Sequence, residues 1–268
     1  MIRFLSISSG SNGNCYYFSN GVTSFLVDAG VGPRTLKRVL SEHSFDIEGI
    51  DFILVTHDHI DHIKALGIIS SKYNKPVYTT KNLKGALLHH HITKNDLKGN
   101  IHTISVLERN DICGVGITTF VVTHDATETV GFFIEFGNKN ITLVTDCGEV
   151  TSDVLKFSKK ADALIFETNY DTEMLRSGSY SELLKKRISE SHHGHLSNSA
   201  AAEAIKEIYS DRERNLEYLF LCHLSENNNT PQIALDTVQK ALVSVGAKPE
   251  ELIIVPLLRG KPSKLYSL

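Results

Sequence analysis

The first half of the chain reads as short β-like runs separated by Gly and Asn punctuation, which predicts strands over residues 2–8, 15–19 and 23–27. A helical pattern over 33–43 follows, opened by Pro33 at a first helical position. The apolar run 52–55 predicts a short buried strand, and a helix over 62–73 comes next. Further strands are expected at 76–78, 101–106 and 115–122. Residues 130–136 and 141–145 read as the arms of a hairpin across Gly137-Asn138-Lys139-Asn140.

The second half changes character. Strands at 162–166 and 219–221 are separated by helices at 180–189 and 197–209, and a helix at 231–245 precedes closing strands at 253–255 and 264–266. No Pro/Gly-rich linker, low-complexity tract or fixed-period repeat divides the halves. The expectation is therefore one domain over 1–268, an α/β sandwich with helices covering strands.

Composition narrows the class. With 41% hydrophobic and 22% charged residues among 268, the chain is neither disordered nor fibrous. The longest apolar runs, such as 252–258 with Pro256 inside, fall far short of the roughly 20 residues a membrane helix needs. The first residues lack the long apolar stretch of a signal peptide, so a soluble, cytoplasmic protein is expected. The four cysteines form no Cys-x-x-Cys pair, which argues against a zinc ribbon or a disulfide scaffold. Histidine is enriched instead: 13 residues, most beside Asp, Ser or Gly, point toward a metal site.

The informative stretch is Thr56-His57-Asp58-His59-Ile60-Asp61-His62, directly after the strand at 52–55. Four ligand-type side chains (His57, His59, Asp61 and His62) lie within six positions, and without a cation they would repel or sit unsatisfied. This His-x-His-x-Asp-His motif resembles that of the metallo-β-lactamase superfamily. The resemblance implies a four-layer αβ/βα sandwich with a two-metal site at the sheet edges. It also implies ligands downstream, at the ends of expected strands: His124 in Val-Thr-His-Asp, Asp146 in Val-Thr-Asp-Cys and His223 in Leu-Cys-His-Leu-Ser. By the family pattern His57, His59 and His124 hold one ion, Asp61, His62 and His223 the other, and Asp146 bridges them. Asp28, in Leu-Val-Asp-Ala-Gly, matches an aspartate that steadies the His loop from behind; a turn-forming role before Gly30 is the other reading. Cys147 and Cys222 are expected in the core, and His89-His90-His91 on solvated surface at a helix end.

Paired divalent ions activate water and polarise a carbonyl or phosphoryl oxygen, so the ligand set says hydrolase without naming the bond. Three features favour a phosphodiester. Glu167, in Ile-Phe-Glu-Thr-Asn-Tyr, resembles the acidic motif of the nuclease branch; His195, in Gly-His-Leu-Ser-Asn, resembles its extra histidine, which supplies a proton or a positive partner to a leaving alkoxide. Ser197 and Asn198 open a helix whose free N–H groups favour anions, and Ser197 also reads as a plain N-cap.

Taken with the loop Ser9-Gly10-Ser11-Asn12-Gly13-Asn14-Cys15 and with His223-Leu224-Ser225-Glu226-Asn227-Asn228, these motifs resemble the YycJ (WalJ) family. That resemblance implies a 5′-to-3′ DNA exonuclease with two divalent ions, zinc first, manganese and iron also suiting the N/O ligand set. The implied catalytic groups are Asp61, Glu167 and His195. Ser9, Ser11, Asn14, Ser197, Asn198, Ser225 and Asn228 are placed on the substrate side. A net charge of −3 gives no global basic face for DNA, although Arg176, Lys185, Lys186, Arg187 and Lys206 flank His195. A small cyclic-phosphate phosphodiesterase is the runner-up, and a catalytically silent metal-binding regulator the contrasting class.

Overall fold

The structure, a computed structural model, describes residues 1–190, 192–213, 215–248 and 250–268. In chain order the first elements are β1 (Arg3–Ser8), β2 (Cys15–Ser19), β3 (Ser24–Val27), α1 (Pro33–Glu42), β4 (Phe52–Leu54), α2 (Ile60–Ile63), α3 (Leu66–Tyr73), β5 (Val77–Thr79), α4 (Lys81–His89), β6 (Ile101–Thr103) and β7 (Arg109–Ile112). There follow β8 (Val115–Val122), β9 (Thr129–Phe136), β10 (Lys139–Val144), α5 (Ser152–Ser158), β11 (Ala163–Glu167), α6 (Thr172–Ser177) and α7 (Glu182–Ser189). The chain closes with α8 (Asn198–Ser210), β12 (Tyr218–Cys222), α9 (Pro231–Val243), β13 (Ile253–Pro256) and β14 (Tyr266–Ser267). The chain forms two compact units, one of residues 1–119, 126–129 and 258–268, the other of 120–125 and 130–257.

In the first unit a sheet runs in the order β14-β1-β2-β3-β4-β5-β6. Its side chains alternate between two buried faces. Leu5, Tyr17, Leu26 and Ile53 pack with Leu36, Val39 and Leu40 of α1 and Ile69 of α3. Phe4, Phe18, Phe25 and Phe52 point the other way and form a ladder with ring centroids 5.0, 5.1 and 4.8 Å apart. β3 and β4 pair in parallel, Val27 opposite Leu54, so both strands deliver their C-terminal residues to the same edge.

In the second unit the sheet order is β13-β12-β11-β10-β9-β8. β10, β11, β12 and β13 are parallel neighbours, with Val144 opposite Phe166 and Phe166 opposite Leu221. α5, α8 and α9 cover one face, where Val154, Ile205, Ile208 and Val238 join Leu164, Phe166, Leu219 and Leu221 in one cluster. Each such fully buried aliphatic side chain stabilises the unit by about 1.5–3 kcal/mol.

Local departures from expectation have tertiary causes. The helix expected over 62–73 is split into α2 and α3. An unbroken helix would need the Asp61 carbonyl to accept from Ala65; instead it accepts the Asn14 N–H at 2.7 Å, while Ala65 donates to Ala29 at 2.8 Å. The β9–β10 hairpin closes tighter than expected, with Phe136 opposite Lys139 and only Gly137-Asn138 between. Gly137 takes the left-handed conformation that this turn requires (φ 59°). Strand β7 and the helices α5 and α6 lie where no element was placed, and α4 is the helix whose end at His89 was expected; α4, α5 and α6 are each opened by an N-cap (Thr80, Thr151 and Asp171) accepting from an N–H three residues on.

Candidate metal centre

In the first unit the His loop leaves β4 and is held by Asp28, the residue after β3. Asp28 is fully buried and stands in the left-handed conformation (φ 62°), uncommon for a residue other than glycine. Its Oδ1 accepts the Thr56 N–H at 2.8 Å; its Oδ2 accepts the Thr56 hydroxyl at 2.8 Å and Nδ1–H of His62 at 2.7 Å. That contact places the His62 proton on Nδ1 and makes Nε2 the nitrogen that carries the lone pair. Thr56 Oγ1 lies 3.0 Å from Nδ1 of His57, orienting that ring as well. His57 packs against His59 and His62 with centroids 4.7 and 4.0 Å apart. Gly30 makes room for this loop: a Cβ there would lie 1.7 Å from the Asp61 carbonyl oxygen.

In the second unit three parallel strands end side by side on Asp146, Glu167 and His223. Asp146 and His223 both take left-handed backbone (φ 52° and 55°), which turns the chain sharply at the strand end. One ligand atom each from Asp146, Glu167, His195 and His223 falls within 4.8 Å of all the others. Asp146 Oδ1 lies 3.3 Å from His223 Nδ1 and 3.7 Å from His124 Nε2. His124 donates Nδ1–H to the Gly194 carbonyl (3.0 Å), so its Nε2 carries the lone pair. Burial lowers the His124 pKa, against the pull of Asp146, and the imidazole is neutral at pH 7.

Glu167 organises this unit's cluster. Its fully buried carboxylate accepts N–H groups from Cys147 (2.8 Å) and Leu196 (3.1 Å) on Oε2, and faces Nδ1 of both His195 (2.8 Å) and His223 (2.9 Å) through Oε1. Burial alone would raise its pKa, but the charge and hydrogen bond of His195, with the hydrogen bond from His223, hold it down at about 2. Gly194 permits the turn that presents both its own carbonyl to His124 and His195 to Glu167: a Cβ there would meet the Ile188 carbonyl oxygen at 2.2 Å.

A model of the "Beta-lactamase superfamily domain" matches residues 23–215. The chain is 34% identical over 250 residues to exodeoxyribonuclease YycJ of Bacillus anthracis, covering 91% of this chain and 90% of that protein. It is 32% identical over 240 residues to exodeoxyribonuclease WalJ of Streptococcus pneumoniae serotype 2, covering 90% and 88%. The chain belongs to the metallo-β-lactamase superfamily, in its YycJ/WalJ family. Its fold is that of the superfamily: the metallo-β-lactamase fold protein YhfI from Bacillus subtilis superposes with a TM-score of 0.68 over 98% of both chains, at 18% identity.

The donor set fits the divalent ions of this superfamily: carboxylate oxygens, and imidazoles whose second nitrogen is occupied by a carboxylate or carbonyl. Zinc, manganese and iron all accept such ligands. The family's N-terminal and C-terminal polar motifs divide by burial. Ser9, Asn14, Asn198 and Asn228 are buried, Ser197 and Ser225 half-buried and Ser11 exposed. Ser9 meets the Tyr16 hydroxyl at 2.9 Å, Ser197 caps α8 through the Ala200 N–H, and Ser225 accepts the Asn228 N–H at 3.3 Å. Asn198 exchanges hydrogen bonds with Asn229, which also donates to the carbonyls of Thr168 and Asn169 at 2.9 Å. Asn169 in turn donates to the His223 carbonyl at 2.8 Å. The sequence assigned no role to Thr56, Asn169 or Asn229: the first two stand inside motifs quoted above, and Asn229 directly follows one. Cys147 and Cys222 are buried, as expected, and all four cysteines are free thiols. Among the described residues no helix is long and apolar enough to cross a membrane.

Proposed function

We propose that the chain is a dinuclear metal-dependent phosphodiesterase, a cytoplasmic 5′-to-3′ DNA exonuclease; two of its relatives are named exodeoxyribonuclease, which supports the DNA substrate. In this reading the two units work as one catalytic domain over 1–268. His57, His59 and His124 would hold one divalent ion and Asp61, His62 and His223 the other, with Asp146 as the carboxylate that would serve both. Two such ions lower the pKa of a shared water and polarise the phosphoryl oxygen. Zinc is the first candidate.

The observation that carries the phosphodiester reading is the Glu167–His195 hydrogen bond beside Asp146 and His223. The Glu167 carboxylate holds the His195 ring through Nδ1, and in this reading Nε2 is the nitrogen that meets the substrate. From there His195 hands a proton to the leaving alkoxide. Asp61 is both a ligand and the group that orients the attacking water.

One observation favours a smaller ester as the second reading. The basic side chains flanking His195 are matched by acids: Arg176 by Glu173, Lys185 by Glu182, Lys186 by Glu190, Arg187 by Asp125 and Lys206 by Glu203. Neutralised cations release few counterions on binding a polyphosphate chain. The test is digestion of 5′-phosphorylated and 5′-hydroxyl duplex and single-stranded DNA by metal-loaded protein, with product lengths resolved. A ladder shortened from the 5′ end is expected. Cleavage of cyclic or small phosphodiesters alone favours the second reading, and no hydrolysis of any ester a silent metal-binding regulator.

A further inference from the structure

Asn14 closes the glycine-rich loop between β1 and β2, and its side chain is wholly buried. Rather than facing solvent, the amide runs into the His loop. Its Oδ1 accepts the Gly10 N–H at 2.7 Å, which fixes which end of the amide is oxygen. The Nδ2 end therefore meets His62 and Asp61, 2.8 Å from Nε2 of the one and 3.2 Å from Oδ2 of the other. Because His62 donates Nδ1–H to Asp28, its Nε2 is an acceptor, and Asn14 donates into that lone pair.

A divalent ion held by His62 requires the same lone pair, and one held by Asp61 draws on the same carboxylate. We infer that Asn14 competes with the ion at Asp61 and His62, making it the more weakly held and faster exchanging of the two; this rests on the two-ion reading above. Competition outweighs any help the amide gives in placing the ligands, because that placement does not depend on it. Asp28 and Thr56 hold the His62 ring, at 2.7 and 3.2 Å from Nδ1. The Asn14 backbone N–H bonds the Asp61 carbonyl at 2.7 Å and its carbonyl accepts the Gly30 N–H at 2.9 Å. Both backbone bonds survive a change of side chain. Nor can the amide turn aside freely, since rotation forfeits the Gly10 contact inside a buried loop.

The test is stepwise loading of metal-free protein with Zn²⁺ against a chromogenic chelator, with ion content measured by mass spectrometry. Wild type takes up two ions in separate steps. In Asn14→Ala the weaker step tightens by about tenfold, the worth of one or two hydrogen bonds, and the stronger step stays put. Asn14→Leu, matched in shape and lacking any donor, gives the same result and serves if the alanine variant does not fold. A weaker-step affinity equal to or below wild type in a folded variant overturns the inference and makes Asn14 a positioning group for the ion. Uptake of fewer than two ions by wild type instead overturns the two-ion reading, and the inference with it.

Discussion

Glu167 presents one carboxylate oxygen to His195, 2.8 Å from its Nδ1, and uses the other to accept the N–H of Leu196, the next residue in the chain. A single buried acid thus fixes both the ring and the backbone that carries it. His195→Ala is expected to slow phosphodiester cleavage by about 10²–10⁴-fold while leaving metal content near wild type. Parallel loss of activity and metal would move His195 into the ligand set.

Glu167→Gln is expected to change acid stability in a defined window. The folded-state pKa is held down at about 2, below an ordinary 4.5, so the stabilisation is present above pH 4.5 and disappears as pH falls toward 2. Unfolding of metal-free wild type and variant, measured by urea from pH 7 to 2.5, should show a gap of about 3 kcal/mol that narrows across that window. A gap constant with pH would show that folding does not displace the Glu167 pKa.

Asp28→Asn keeps the size of the side chain and tolerates its left-handed backbone, but removes the charge behind His62. A fall in metal affinity of about 10–100-fold is expected, read by chelator competition. Unchanged affinity would leave Asp28 as a turn residue only.

Asp146→Ala is expected to lose one or both ions by elemental analysis. Retention of the full pair would show that the bridge has been placed on the wrong carboxylate.

Removing metal by chelation should abolish hydrolysis and lower the melting temperature, since ions that bind only the folded state stabilise it by mass action. A melting temperature that does not respond to Zn²⁺ would argue that no ion is bound.

Much of this was written along the chain. The run His57 to His62 is a local signal, because a loop leaving a strand can gather its own side chains without help from elsewhere. The strand-end residues Asp28, Asp146, Glu167 and His223 were also legible, since each follows an apolar run of strand length. What local pattern does not contain is register. Only the parallel pairing of β10, β11 and β12 sets Asp146, Glu167 and His223 side by side. Only the tertiary structure directs Asn14 inward to His62, breaks the helix at Ala65, and matches the basic residues of α6 and α7 with acids. Ligand types are a property of residues and their immediate neighbours. The carboxylate or carbonyl that meets Nδ1 of His62, His124, His195 and His223 lies tens of positions away in the chain, and only folding supplies it.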